Sequence, residues 1–296
     1  MNKEIEGRAV FTFEASHYTI PCTVHKGRKA TSENGADEEG QDRIGIVFLN
    51  SLSPTRAARG DSCVSWADGF AARGYPCFRV DLPGFGDSAT DPPEDLLEFI
   101  NLGGYGQVSR AIVEILLERF RLSSAILFGL CAGAVSAIYA AAASKDCSGV
   151  ILLDPYFYLP KARGSSLIGK VKDFIPPGAL RRGIRSVIDR SRDLRESQTS
   201  EELPDNANLK LLDSLKTVIS SGRPIMMINA PAVGTRKSDF DYCAFIRRQA
   251  MRQDQVAIEE IAGADHTFSN LRGRAAVTRV TEKWLSLNFP VVRNLV

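Results

Sequence analysis

One cysteine of the chain stands where a protein can present a reactive sulfur. Cys131 lies at the centre of Gly129-Leu-Cys-Ala-Gly133, between an apolar run and an alanine-rich segment that favours a helix. On a tight strand-to-helix turn the side chain is exposed, and small residues two positions before and after it let strand and helix approach. The N-terminal end of the helix favours the thiolate, the nucleophilic form of cysteine. The pattern predicts covalent catalysis by Cys131, with a buried structural cysteine as the alternative.

A nucleophile of this kind needs a base, and the chain has only three histidines. His17 and His25 lie in N-terminal segments that precede the main run of strands and helices. His266 lies in Gly263-Ala-Asp-His-Thr-Phe, which is expected to be a loop between the last strand and the closing helix. The base comes last along the chain when the nucleophile sits on a strand-to-helix turn. We therefore predict that His266 is the base, the alternative being a polar loop residue.

Three aspartates are candidates for the acid that orients the imidazole. Asp154 ends the apolar strand that follows the alanine-rich helix, and functional groups collect at the carboxyl ends of such strands. Asp239 and Asp241 follow the next strand, but Ser238-Asp-Phe-Asp is typical of a helix N-cap. We predict Asp154 as the acid, with Asp239 as the alternative. Asp265, beside the histidine, is expected to shape its loop.

Two main-chain N–H groups are expected to stabilise the negatively charged oxygen of a reaction intermediate. One belongs to Ala132, the residue after the nucleophile. The other is expected from the loop after the first buried strand, Asn50-Ser-Leu-Ser-Pro54. By position Leu52 is the predicted donor, and Ser51 is the alternative.

The elements that must position these groups alternate along the chain. Continuous apolar runs predict strands, and apolar residues at helical spacing predict helices. Two strands are expected within residues 8–25, and further strands at 43–50, 75–80, 125–128, 150–153, 223–230 and 255–261. Helices are expected at 61–73, 106–120, 132–144 and 271–288. This alternation predicts an α/β fold with a mostly parallel central sheet that is covered by helices on both faces.

One long segment interrupts the alternation. Residues 155–222 contain no clear strand and are too long for a simple crossover, so we predict a helical lid there, inserted between core segments 1–154 and 223–296. Residues 161–196 hold ten basic and four acidic residues, a local excess of +6 in a chain of net charge +2. This basic stretch is either a solvated helical face or a docking surface for an acidic partner or a phosphate-bearing substrate.

Composition excludes several other classes of protein. With 44% hydrophobic and 24% charged residues, the chain is neither disordered nor fibrous, and its near-neutral charge argues against nucleic-acid binding. The six cysteines form no C-x-x-C pair, so no metal is expected. Residues 81–88 (DLPGFGDS) have the wrong glycine spacing for a phosphate cradle, and no cofactor is expected.

The same sequence features argue against a membrane protein. Residues 125–143 are almost uncharged, but their glycines and serines fit a strand, a turn and a helix better than a membrane span. The N-terminus lacks an apolar region with a cleavage site, so we expect a cytoplasmic protein with reduced thiols.

Together these motifs resemble the α/β-hydrolase superfamily over residues 43–288, with Cys131 in the serine position of the G-x-S-x-G nucleophile elbow. ILLDPYFYLP, where an acid ends the strand and a lid follows, is similar to thioesterase domains of polyketide and nonribosomal peptide synthesis. SLSPTRAARGDSCVSWADGFAARGYPCFRVDLPGFGDS and GLCAGA resemble hydrolases associated with exosortase systems.

The resemblance implies an enzyme that forms an acyl-enzyme on a Cys131–His266–Asp154 triad. A thiolate exchanges readily with a thioester, and the resulting intermediate can pass its acyl group to water, an alcohol or an amine. We therefore expect a thioesterase-like acyltransferase or hydrolase whose substrate is carried on an acyl or peptidyl carrier protein or on coenzyme A. The alternatives are a carboxylester or peptide hydrolase on the same triad, and a binding protein or lyase that uses the fold without hydrolysis.

Overall fold

A computed structural model describes residues 4–5, 7–27, 43–49, 52, 55–159, 203–231 and 240–291. Its strands are β1 (Glu4–Ile5), β2 (Arg8–Ala15), β3 (Tyr18–His25), β4 (Ile44–Leu49), β5 (Cys77–Val80), β6 (Ser124–Leu130), β7 (Cys147–Leu153), β8 (Ile225–Asn229) and β9 (Val256–Glu260). Its helices are α1 (Ser62–Ala72), α2 (Leu96–Asn101), α3 (Gly106–Phe120), α4 (Ala132–Ala143), α5 (Leu209–Ser220), α6 (Tyr242–Gln249) and α7 (Leu271–Asn288).

The strands of the described residues form one sheet in the order β1-β2-β3-β5-β4-β6-β7-β8-β9. From β5 to β9 in this order neighbouring strands are parallel, whereas β1, β2 and β3 pair antiparallel and β3 joins β5 in the same way. The α/β class and the mostly parallel sheet predicted from the sequence are therefore confirmed. Since all parallel strands end at the same edge, residues that follow β6, β7 and β8 are brought together there.

Helices cover both faces of the sheet. On one face α1 and α7 contact each other and bury Trp66, Phe70, Val277 and Trp284 against alternate residues of the central strands. On the other face α3, α4 and α5 pack side by side against β4, β6 and β7 or against each other. Helix α3 packs here because its apolar residues recur at helical spacing and so lie on one face. Three of them, Val108, Ile112 and Leu116, are buried against the rest of the protein.

The segment predicted as a lid is described only at its ends. The chain separates into two compact units, residues 1–157 with 208–296, and residues 158–207. In the second unit Tyr158 forms an isolated antiparallel bridge with Ala207, and the Leu159 N–H donates to the carbonyl of Asn206 at 2.7 Å. Helix α5 groups with the first unit. Residues 160–202, which contain the basic stretch, lie outside the described residues, so the helical lid stays a prediction.

A buried carboxylate organises the loop after β5. Asp81 is fully buried and accepts hydrogen bonds from the main-chain N–H groups of Arg56 (2.6 Å) and Asp87 (3.1 Å), and from the Arg56 guanidinium. Gly86 has a φ of 53°, and a Cβ there would collide with the Asp81 carboxylate. The loop after β5 thus wraps around Asp81. The same carboxylate holds Arg56, which lies in the segment between β4 and α1.

Replacement of Asp81 by alanine is expected to lower the free energy of unfolding by about 3–5 kcal/mol, because it leaves the guanidinium of Arg56 without the fully buried carboxylate that it pairs with. Asp87 contacts the same guanidinium at 2.7 Å, but its side chain is 73% exposed. The matched Asp87→Ala variant should therefore lose less than about 1 kcal/mol. Urea denaturation of both variants measures the difference. Equal losses in the two variants would show that burial of Asp81 is not what makes the pair important.

Candidate active site

Three predicted site residues meet at the carboxyl edge of the sheet. Cys131 directly follows β6 and Asp154 directly follows β7, and the last paired residues of these strands, Leu130 and Leu153, are aligned in register. His266 lies in the loop between β9 and α7. Its Nδ1 is hydrogen-bonded to Oδ2 of Asp154, and its ring is also hydrogen-bonded to Cys131.

Cys131 sits on a sharp turn between β6 and α4. Its φ of 55° and ψ of −115° are unusual for a residue with a side chain, and its position is the N-cap of α4. The turn is held because the Cys131 N–H donates to the carbonyl of Leu153 at 2.8 Å. A Cβ at Gly129 would collide with the main chain of Gly133, which is why the strand and the helix can approach only with glycine there. The sulfur-bearing residue is half-buried at the start of the helix.

Asp154 reaches the imidazole from an uncommon backbone conformation. Its φ is 45°, in the left-handed region, and its N–H donates to the carbonyl of Ile228 on β8 at 2.7 Å. Its Oδ1 accepts from the main-chain N–H of Ala230 at 3.2 Å, which leaves Oδ2 for His266. The contribution of Ala230 was not predicted, and no sequence signal could have shown it, because a main-chain N–H is common to almost every residue type.

The imidazole of His266 is held between an acid and a thiol. Because Nδ1 faces Asp154, the remaining nitrogen, Nε2, is the one available to Cys131. The hydrogen bond to Asp154, followed by that to Cys131, raises the pKa of His266 from 6.5 to about 9, against the opposing effect of burial. The ring is therefore a cation at neutral pH. A cation next to the sulfur is the arrangement that generates a nucleophilic thiolate.

His266 is expected to titrate with a midpoint near pH 9, being the imidazolium below that pH and neutral above it. In Asp154→Asn the largest cause of this shift is removed while burial remains, so the midpoint should fall by about one unit or more. NMR titration of the imidazole protons measures both values. His25 provides an internal comparison, because burial and the nearby Arg79 lower its pKa to about 4. A midpoint for His266 that Asp154→Asn does not change would contradict this account of the pair.

Ala132 and Leu52, the residues predicted to donate main-chain N–H groups to the oxyanion, are both among the described residues. Ala132 is the first residue of α4, and helix geometry leaves its N–H without an acceptor inside the helix. Leu52 lies in the loop after β4 and is 44% exposed. The alternative donor, Ser51, lies outside the described residues. The roles of Ala132 and Leu52 as oxyanion donors stay predictions.

The alternative catalytic residues are placed differently. Asp239 lies outside the described residues. Asp241 is the N-cap of α6, and its carboxylate accepts from the N–H of Ala244 at 2.9 Å. His25 is buried between Asp68 and Arg79, to which its two ring nitrogens are hydrogen-bonded at 2.7 and 2.8 Å.

The other cysteines are separated from this chemistry by burial. Cys22, Cys63, Cys77 and Cys147 are buried, and burial raises the pKa of each thiol. Within the parts of the chain that the structure describes, no group of three or more metal-ligating side chains comes together. Nor does any helix in those parts have the length and apolar character that crossing a membrane requires. The uncharged stretch 125–143 is divided between β6 and α4.

The profile of the alpha/beta hydrolase family matches residues 46–280. No curated protein sequence matches the chain.

Solved structures share the fold at low sequence identity. A serine hydrolase without a lid from Xanthomonas campestris is 13% identical and has a TM-score of 0.57, with 98% of each chain covered. Est1E from Butyrivibrio proteoclasticus, solved with ferulic acid, is 12% identical with a TM-score of 0.57, covering 95% of this chain and 100% of that one. An esterase from Pyrococcus furiosus is 13% identical with a TM-score of 0.57, covering 96% and 93%. The match of the family profile over most of the chain shows that the protein belongs to the alpha/beta hydrolase family.

Proposed function

We propose that the protein is a thioesterase-like acyltransferase or hydrolase that forms an acyl-enzyme on Cys131. The observation that carries the proposal is the placement of a half-buried cysteine on the elbow, hydrogen-bonded to a histidine that is in turn bound to Asp154. Nucleophile, base and orienting acid in contact are the signature of covalent acyl transfer. We place this activity in the cytoplasm, where a reactive cysteine stays reduced.

In the first half of the reaction the thiolate of Cys131 attacks the carbonyl carbon of an acyl thioester. The carbonyl electrons move onto oxygen, and the N–H groups of Ala132 and Leu52 stabilise that charge. The intermediate then collapses, the bond to the donor sulfur breaks, and the departing thiolate takes the proton from Nε2 of His266. The products are the free donor thiol and an acyl group joined to Cys131.

In the second half an acceptor attacks the new thioester. Water, an alcohol or an amine gives its proton to the neutral Nε2 of His266 as it bonds to the acyl carbon. Collapse of the intermediate expels the Cys131 thiolate and restores the ion pair with His266. Asp154 accepts the hydrogen on Nδ1 throughout, so that Nε2 is always the nitrogen that transfers protons.

The cysteine nucleophile favours activated acyl donors over ordinary esters. Transfer of an acyl group from one sulfur to another changes the bond energy little. With an oxygen ester, the intermediate can expel either the alkoxide or the attacking thiolate, and the alkoxide is the poorer leaving group, so the intermediate returns to substrate more often. Several solved neighbours are named esterases or serine hydrolases. This chain departs from the serine-based motif at the position that attacks the substrate, and that departure supports thioesters as its substrates.

A matched pair of substrates tests the proposal. The same acyl group is offered as an N-acetylcysteamine thioester and as the corresponding oxygen ester, and kcat/KM is measured for wild type and for Cys131→Ser. We expect the thioester-to-ester ratio of the wild type to exceed that of Cys131→Ser by at least about tenfold, a difference of about 1.4 kcal/mol in barrier. Equal ratios would support a carboxylester hydrolase, and no Cys131-dependent turnover of any substrate would support a binding protein or lyase.

The basic stretch at residues 161–196 supports a charged carrier for the acyl group. Acyl or peptidyl carrier proteins and coenzyme A both present negative charge next to a thioester, and the stretch has a local excess of +6. The basic stretch lies within residues 155–222, the segment that the sequence predicts to be a lid.

Neutralisation of Arg181, Arg182 and Arg185 by glutamine is expected to weaken binding of an acyl carrier protein or coenzyme A about tenfold or more at low salt, and less at high salt. Affinity titrations across a range of salt concentrations measure the effect. Arg252→Gln serves as the control, because Arg252 is 62% exposed and lies far along the chain, in the turn before β9. Binding that is unchanged in the triple variant would remove the carrier from the proposal and leave the chemistry of Cys131 untouched.

A further inference from the structure

The carboxylate of Asp265, one residue before His266, collects hydrogen bonds from the loop that follows. Its Oδ1 accepts from the N–H and Oγ1 of Thr267 at 2.8 and 2.7 Å, and from the N–H of Ser269 at 3.2 Å. Its Oδ2 accepts from Oγ of Ser269 at 3.0 Å and from Nδ2 of Asn270 at 3.4 Å. The four residues that follow His266, residues 267–270, thus curl around one exposed carboxylate.

The inner side of the same loop is fixed by an aromatic anchor. Phe268 has a φ of 49°, is fully buried and belongs to the core between the sheet and α1 and α7. Its N–H donates to the carbonyl of Asp265 at 3.0 Å. Asn270 then caps α7 by accepting from the N–H of Gly273 at 2.7 Å. His266 therefore lies in a loop held by Phe268 on the inside and by Asp265 on the outside.

We propose that Asp265 is a positioning residue, which holds the main chain of residues 266–269 so that the imidazole of His266 reaches both Asp154 and Cys131. The proposal rests on the proposed function for the role of Cys131, but the contact of His266 with Asp154 is independent of it. The side chain of His266 is 29% exposed, so packing alone holds it loosely. A small rotation of the loop would separate the ring from one of its two partners.

Asp265 acts through the hydrogen bonds it accepts. Partial burial opposes its ionised form, but the hydrogen bonds from Thr267 and Ser269 prevail and lower its pKa to about 2. The carboxylate is therefore ionised at neutral pH. Three of the five hydrogen bonds end on Oδ1, which Asp265→Asn can keep as a carbonyl oxygen, whereas Asp265→Ala removes every acceptor. The asparagine variant thus separates hydrogen bonding from charge.

Two measurements test the proposal in parallel in a Cys243→Ser background, which removes the other half-buried thiol. The first is the NMR signal of the proton between Nδ1 of His266 and Asp154. The second is the rate at which iodoacetamide alkylates Cys131 at pH 6.5, which reports the imidazolium next to the sulfur. For Asp265→Ala we expect loss of the NMR signal and an alkylation rate about tenfold lower, while Asp265→Asn should stay within about threefold of wild type.

Controls separate this proposal from instability and from the proposed function. Thermal unfolding checks that each variant is folded, and Asp254→Ala, at an 84% exposed position, serves as the matched substitution with no expected effect. Should Asp265→Ala fail to fold, Thr267→Val with Ser269→Ala removes two of the five donors and should lower the alkylation rate several-fold.

The outcomes are distinct. Retention of both the NMR signal and the alkylation rate in the folded Asp265→Ala variant would overturn the positioning role. An alkylation rate that His266→Ala does not change would instead overturn the ion pair of the proposed function, and the NMR signal would still decide the role of Asp265.

Discussion

Replacement of Cys131 by alanine is expected to lower kcat/KM for an acyl thioester by about 10⁴-fold or more, the loss typical of removing a covalent nucleophile. The reason lies in the elbow: Cys131 is the side chain that the turn between β6 and α4 presents to His266. Cys22, Cys63, Cys77 and Cys147 are buried, and the half-buried Cys243 contacts Asn229 at the end of β8, so none of them is expected to replace it. Steady-state kinetics on N-acetylcysteamine thioesters measures the loss.

Two further variants test whether the activity depends on the thiol of Cys131. Cys131→Ser replaces that thiol by a hydroxyl, and Cys243→Ser makes the same change at another half-buried cysteine. A serine hydroxyl does not ionise beside an imidazolium, so His266 must first lose its proton before it can act as the base. Cys131→Ser should therefore have low activity that rises with pH as His266 loses its proton. Cys243→Ser should retain wild-type activity, because Cys243 contacts Asn229 rather than the triad. Full activity of Cys131→Ala would contradict the covalent mechanism.

Asp154→Asn is expected to lower kcat about 10³- to 10⁴-fold with a nearly unchanged fold. The carbonyl oxygen of the asparagine would stay on the N–H of Ala230, since that donor faces Oδ1. Its NH₂ group would then face Nδ1 of His266, which could no longer be a donor. The ring would take the other tautomer, with its proton on Nε2 towards Cys131, and could not accept a proton there.

Asp239→Asn is the matched test, because Asp239 is the alternative acid predicted from the sequence. We expect kcat within about twofold of wild type for this variant. Steady-state kinetics of the two variants, with circular dichroism to check the fold, decides between the acids. A large loss in Asp239→Asn together with a small loss in Asp154→Asn would reverse the assignment, and would mean that the contact of Asp154 with His266 is structural.

Much of the architecture could be predicted because local patterns carry it. Helix α3 has the predicted bounds, Gly106–Phe120, since its apolar residues recur at helical spacing. The position of Cys131 followed from small residues at fixed spacing between an apolar strand and an alanine-rich helix, both of which the structure shows. The sequence favours Asp154 as the acid because it ends a strand, and parallel strands bring their carboxyl ends to one edge.

Other features could not be predicted because they depend on contacts between distant parts of the chain. Helices α2 and α6 are short, so their patterns are too brief to distinguish from loops. The N–H of Ala230 supports Asp154 across 76 positions of sequence, without any side-chain signal. The sequence predicts that Asp265 shapes its loop, but it does not show which groups donate hydrogen bonds to the carboxylate. That depends on the conformation of the loop, which is fixed by burial of Phe268 in the core.

The most direct test of the account is the mass of the intact protein after brief incubation with an acyl N-acetylcysteamine thioester. We predict a mass increase equal to one acyl group, mapped by peptide analysis to Cys131 and absent from Cys131→Ala. The adduct should form more slowly in His266→Ala, which lacks the ion pair, and should disappear when an acceptor is supplied. An acyl group on any other residue, or turnover of the thioester by the Cys131→Ala variant at the wild-type rate, would contradict it.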